Sequence, residues 1–243
     1  KAADICLGLG SLERRLSNYQ AAVLYYEPIA LQAANSSQRV RGLTNLAELW
    51  LDIACGIGVP PLPVEERPAA REKARQYCRQ ILGEVGSEPG KVVPLDCEMF
   101  AELLYLESFY YQNDYATSYE LGSRFLDRWG ADPSAYEDNN MKIHVNTART
   151  FHTLNAYITG HFEDSLAVAE ALVLEPPPNE ERLSNFDALM YGCVCGTLSA
   201  ENLKRPAEAE NCEQIGRLYN ERHFELLYPS LVASRASYLS TVR

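Results

Sequence analysis

Arg41 and Asn45 stand one helical turn apart, and Asn146 with Arg149 repeat the pairing later in the chain. A guanidinium beside an amide supplies positive potential and hydrogen-bond donors for a carboxylate or an acidic peptide. His152 lies close to Arg149 in sequence, and Tyr110 offers an outward-facing ring as an apolar anchor. These six residues, Arg41, Asn45, Tyr110, Asn146, Arg149 and His152, are the candidate contacts for a bound peptide. His144 and His152 are eight residues apart and can share a helix face, but no Cys, Asp or Glu nearby completes a metal or nucleophile pattern. The four histidines therefore read as surface or core residues.

Other chemistry-bearing groups assemble no catalytic constellation. Seven cysteines are scattered, mostly beside apolar residues, and an odd, unpatterned set suits a reducing cytoplasm. Cys193 and Cys195, two apart on a helix, point to different faces, unlike paired zinc ligands, and read as small core residues. LGLGS at 7–11 follows no strand and lacks the lysine of a phosphate loop. YEDNN at 136–140 has only two adjacent carboxylates and reads as a helix start capped by Ser134 or Asp132. In the cluster Tyr105, Phe109, Tyr110, Tyr111, Tyr115 and Tyr119, the spacing of four predicts an inter-helix core stripe with Tyr110 outside it. The expectation is a chain that is no enzyme and uses no cofactor or metal.

Charge and hydropathy narrow the partners. The net charge is −11, and residues 91–140 alone hold ten acidic against three basic residues. Phosphate-tracking surfaces need a basic stripe, so direct nucleic-acid binding is not expected. No stretch approaches the ~18 uncharged apolar residues of a membrane span, and no basic segment with an apolar run opens the chain. Cytoplasmic placement without membrane insertion follows as the expectation. Lys1 and Arg243 both fall inside helical patterns and no Met opens the chain, which suggests a fragment of a longer protein.

The elements that must position these residues are announced by one recurring phrase. It reads SNYQAAVLYY at 17–26, NDYATSYELG at 113–122 and GHFEDSLAVA at 160–169. A polar or small pair lets the chain turn, an aromatic (Tyr19, Tyr115, Phe162) plugs the groove between two helices, and a small residue three positions on (Ala22, Ser118, Ser165) lets the second helix approach. RPAEAENC at 205–212 keeps the small Ala209 with Pro206 in the aromatic slot, and AREKARQYC at 70–78 keeps Ala74 with Arg71 in that slot. Slots at 19, 71, 115, 162 and 206 give intervals of 52, 44, 47 and 44. Breakers rich in Gly, Pro and Asp separate eleven expected helices, at 2–16, 18–34, 38–57, 65–84, 94–112, 114–129, 134–159, 161–174, 179–201, 205–220 and 222–241.

On these phrases the chain resembles the tetratricopeptide repeat superfamily, with units longer than its standard ~34 residues. The divergent arrays of large signalling proteins, such as the helical sensor region of the maltose-regulator type of signalling ATPase, are similar. The resemblance implies an all-α fold: a right-handed solenoid of about five helical hairpins plus a terminal helix, forming a single domain over 1–243. It implies a concave face that grips a protein or peptide. Some members clamp a terminal carboxylate with Lys, Arg and Asn of their first helices, the types found at Arg41, Asn45, Asn146 and Arg149. The functional expectation is a protein-binding scaffold beside a possible neighbouring signalling domain. The alternative is a small-effector sensor around Tyr110, Arg149 and His152.

Overall fold

The computed structural model describes residues 2–33, 35–56, 62–84, 93–130, 136, 139–174 and 183–242. Among these residues the chain forms ten helices and no strand. They are α1 (Ala2–Arg15), α2 (Tyr19–Gln32), α3 (Ser36–Cys55), α4 (Arg67–Glu84), α5 (Leu95–Tyr110), α6 (Tyr115–Trp129), α7 (Asn139–Thr159), α8 (Phe162–Leu174), α9 (Leu183–Asn202) and α10 (Pro206–Thr241). Two compact units divide the chain, Lys1–Gln112 and Asn113–Arg243. The expected break between a tenth and an eleventh helix lies inside α10: Asn220 leaves helical geometry (φ −163°, ψ 89°), and its Oδ1 accepts from the His223 amide at 3.0 Å, capping the second segment. The proposed caps Ser134 and Asp132 lie outside the described residues.

The recurring phrase is a backbone motif. Ser17 (φ 60°), Asn113 (φ 65°), Gly160 (φ 97°) and Lys204 (φ 60°) each adopt positive φ two residues before the aromatic or proline slot. At three of these corners the closing bonds are the same. The amides of Asn18, His161 and Arg205 donate to the carbonyls of Glu13, Ala156 and Ala200 at 2.8, 2.8 and 2.9 Å. One residue earlier, Ser17, Gly160 and Lys204 donate to Arg14, Tyr157 and Glu201. This pair of bonds satisfies carbonyls that the ending helix leaves bare. Asn18, Asp114 and Arg205 then open the next helix from nearly the same backbone angles.

The small residue three places on is buried at every copy: Ala22, Ser118 and Ser165 are fully covered, and Ala209 nearly so. The aromatic slot is less uniform. Tyr19 is buried, whereas Tyr115 and Phe162 are half-buried and Pro206 is exposed. The expected equivalent buried plugs are thus corrected at two of three positions. Phe162 lies under the Arg235 guanidinium (4.6 Å), and Tyr115 meets Tyr238 edge-on (5.9 Å). The copy at 70–78 is also corrected. Arg71 sits within α4, and the corner after α3 begins instead at left-handed Gly56 (φ 72°). Nor is there a continuous Tyr111–Tyr115–Tyr119 stripe, because the corner at 111–114 interrupts it.

In the first unit each helix packs on its sequence neighbour, and α3 also packs on α5. Val40, Leu43, Leu46 and Leu49 of α3 bury against Tyr19, Ala22, Tyr26 and Ala30 of α2, with Ile81 and Cys97 closing the core. Leu51 and Ala47 extend it to Ala74, Cys78 and Leu104. Gly10 is set here by close approach, since a Cβ there would collide with the Tyr26 ring. In the second unit α7 packs on α6, α8 and α9, and α10 packs on α9, α7 and α8. Residues 188–200 of α9 are buried at every position except Tyr191, as expected of a helix apolar all round.

The corner geometry makes a signed prediction. A non-glycine residue at left-handed φ costs about 1 kcal/mol, so Ser17→Gly and Lys204→Gly should each raise unfolding free energy by up to about that amount. Gly160→Ala should lower it by a similar or larger margin, because φ 97° strains any side chain. Urea denaturation of the three variants measures both signs.

Candidate binding surface

A cavity of about 380 Å³ opens on the first unit, lined by Asp4 and Leu7 of α1 and by Asn35, Ser37, Gln38 and Arg41 at the start of α3. Asn35 caps α3, its Oδ1 accepting from the Gln38 amide at 3.2 Å. The Gln38 side chain donates to Asp4 at 3.0 Å and so ties α1 to α3. Arg41, one turn into α3, is exposed and brings a guanidinium to the lining. The end of the cavity formed by α3 therefore combines a guanidinium with the positive end of a helix dipole, and Asp4 opposes them.

The other candidates fall elsewhere. Asn45 is half-buried one turn beyond Arg41. Tyr110, at the end of α5, is half-buried and lies edge-on to Tyr111 at 5.3 Å. Asn146 is half-buried on α7 in the second unit. Arg149, on the same helix, is 9% exposed, and its Nη2 donates to the Gly130 carbonyl at 3.4 Å, where α6 ends. His152 is 4% exposed. Its ring stacks on Tyr119 at 5.0 Å, and His161 stacks on the same phenol at 4.2 Å. Tyr119 donates its hydroxyl proton to Asp164. Thus Arg41 faces an open cavity, while Arg149 and His152 are enclosed by their own unit.

Sequence reasoning missed a polar cluster inside the first unit. Arg14, in the last turn of α1, donates through Nε to Asp52 Oδ2 at 2.8 Å and pairs with Glu48 one turn earlier on α3. Glu107 of α5 adds a third carboxyl to this side of α3. Burial pushes Asp52 up to about 6, against the opposing pull of Arg14. Burial, reinforced by Glu48 and Asp52, pushes Glu107 up to about 8. The i, i+4 spacing of Glu48 and Asp52 was visible, but their link to Arg14 spans more than thirty residues.

Two further arginines hold helix ends. Arg75, buried on α4, donates to the Ser108 hydroxyl (2.8 Å), the Ser108 carbonyl (2.9 Å) and Gln112 (2.7 Å), with its guanidinium over the Phe109 ring at 3.8 Å. Arg235 of α10 donates to the Tyr157 and Ile158 carbonyls at 2.8 and 2.7 Å. Burial pushes the thiols of Cys55, Cys78 and Cys193 up to about 12 and those of Cys97 and Cys212 up to about 11, which leaves them unreactive packing groups. Among the described residues no three His, Cys, Asp or Glu side chains are arranged to hold a metal ion, and no helix is long and apolar enough to cross a membrane. Compared with known proteins, the chain matches no family model and no curated sequence.

The pH dependence follows from these shifts. Asp52 and Glu107 bind their protons more tightly folded than at their ordinary values of 3.8 and 4.5. The stability they contribute is present at low pH and is lost as pH rises through about 6 and then about 8. Burial holds His152 below its ordinary 6.5, the opposite sign, so stability is lost as pH falls through that value. Chemical denaturation from pH ~6 to ~9 should show wild-type stability falling on the alkaline side, and Glu107→Gln should flatten that limb. An unchanged alkaline slope in the variant would show that Glu107 is not its source.

Proposed function

We propose that the chain is a non-catalytic scaffold that holds an acidic or carboxylate-ended peptide, with Arg41 as the principal anchor. The observation that carries this reading is the cavity on the first unit, where Arg41 is exposed beside the α3 N-terminus and Ser37 and Gln38. An anionic group there gains a charge-assisted hydrogen bond, and Leu7 supplies an apolar wall. The architecture proposed is a right-handed solenoid of tetratricopeptide-like hairpins. It is supported by the four corners that share a left-handed residue and by the small residue buried three places after each slot. In such a stack successive helices present side chains along one extended surface, which suits a peptide. Asn45 lies further along α3 as a second polar contact for a longer ligand.

A small-effector sensor is the second reading, favoured by one observation: a cavity of about 380 Å³ is within the size range of small-ligand sites. A small carboxylate would use the same Arg41. The sensor and scaffold readings differ in whether neighbouring residues of a peptide add affinity.

The test is a peptide array followed by titration calorimetry at low and physiological salt. Acidic or carboxylate-ended peptides should bind, weaken with added salt, and lose about ten-fold with Arg41→Ala. Asp4→Asn should tighten them by removing the opposing charge. Peptide binding that ignores Arg41→Ala removes this cavity from the function. Stabilisation by a small carboxylate without peptide binding favours the sensor.

A further inference from the structure

The last part of α10 leaves its own helix at a single residue. Before the bend, Cys212 and Gly216 lie against Gly196 and Cys193 of α9. Asn220 then takes extended geometry, and residues 221–241 run on as a separate helical arm. Two contacts hold the bend. The Phe224 ring closes on Gly216, where a Cβ would stand 2.6 Å from it, and Arg217 pairs with Glu225 at 3.2 Å. In an unbroken helix residues eight apart stand ~12 Å apart along the axis, so this ion pair belongs to the bent form.

One seam runs down the arm. Phe224, Tyr228, Leu231, Arg235 and Tyr238 follow at intervals of four, three, four and three, the spacing that keeps one helix face toward a neighbour. Of the arm's residues only Phe224 and Leu231 are buried, and past Leu231 no described residue is. Tyr228 donates its hydroxyl to Glu201 at 2.6 Å, and the distal half grips the unit through Arg235 and Tyr238. Their seat is shaped for a guanidinium beside an aromatic ring. The Tyr157 and Ile158 carbonyls accept from Arg235 at 2.8 and 2.7 Å, and the Phe162 and Tyr157 rings lie 4.6 and 5.7 Å from its charge. Gly160 leaves the room, since a Cβ there would crowd Arg235 Nη2 at 3.3 Å. Tyr115 and Phe162 fill the same slot in two hairpin phrases, and the arm reaches both with residues three apart.

From the hinge, the seam and the seat we infer that residues 221–241 are an autoinhibitory arm. They occupy in cis a docking site for a helix of another protein that presents an arginine followed three residues later by an aromatic ring. Helical angles at Asn220 would join α10 into one continuous helix and lift Arg235 and Tyr238 off the seat. The tethered arm competes at millimolar effective concentration. A free helix with the same seam therefore binds with its intrinsic affinity reduced by the fraction of chains whose arm is open. This inference is independent of the peptide cavity, which lies in the first unit.

Fluorescence anisotropy with a labelled synthetic peptide of residues 221–241 and the full chain tests it, with circular dichroism melts confirming that each variant folds. The wild-type chain should bind the peptide weakly. Arg235→Ala in the chain should tighten binding about ten-fold by emptying the seat, whereas the same substitution in the peptide should abolish it. Asn220→Ala removes the cap on the His223 amide and favours the straight helix without touching the seat, so it should tighten binding about five-fold. It gives the same reading where Arg235→Ala does not fold. Hydrogen exchange of the wild type should show the arm opening while residues 188–200 of α9 stay protected. A peptide that binds no variant, or binds regardless of its own arginine, overturns the inference. So does a folded Arg235→Ala or Asn220→Ala chain that binds it no better than wild type, and so does an arm that exchanges only together with residues 188–200.

Discussion

The described corners of this chain answer one requirement: a helix that ends against protein leaves carbonyl oxygens that need donors. The chain meets it in two ways. At Ser17, Gly160 and Lys204 it bends into the left-handed region and returns its own amides to the last turn. At the ends of α5 and α7 it brings a guanidinium from another helix, Arg75 of α4 in one unit and Arg235 of α10 in the other. In both cases an aromatic face, Phe109 or Phe162, lies under the same arginine. The aromatic plug of the second unit is therefore partly a seat for a cation, and this is why Phe162 does not sink into the core.

Packing around the corners follows from what they fix. Once the turn sets the angle of the second helix, the residue three places on faces the first helix at close range, and only Ala or Ser occupies it. Larger residues find room further from the corner, as Tyr26 does against Gly10. Polar groups taken inside come with partners that match their geometry. Arg14 is the example, forked between two carboxylates one turn apart. The cost of crowding a third carboxyl nearby appears as a proton held by Glu107 well above the usual carboxylate range.

The helices and most corners were legible because they depend on local chemistry. Gly, Pro, Asn and Asp at the breaks, and small residues at fixed offsets, are sequence-near signals. The misreadings share one cause, which is that sequence spacing does not report tertiary partners. Arg71 and Ala74 imitate the hairpin phrase, but their surroundings continue α4 unbroken. Tyr111, Tyr115 and Tyr119 keep a spacing of four across a corner that destroys its meaning. Arg149 and His152 looked like surface chemistry by residue type, yet one meets the Gly130 carbonyl and the other stacks on Tyr119. Arg41 differs because it lies at a helix start beside a cap, where sequence alone already indicates exposure. The Arg14 cluster could be found only by knowing that α1 lies along α3.

The burial of α9 on nearly all sides has a consequence for how the second unit opens. An edge hairpin can fray and leave the rest of a stack intact, because only one of its faces is lost to water. Residues 188–200 have no such edge, since α7, α8 and α10 all lie against this helix. Separating any of them exposes part of a segment that carries scarcely any polar surface of its own. Its peptide amides can therefore exchange with solvent only when the unit comes apart as a whole, which makes α9 the slowest clock in the second unit and the measure of its cooperativity.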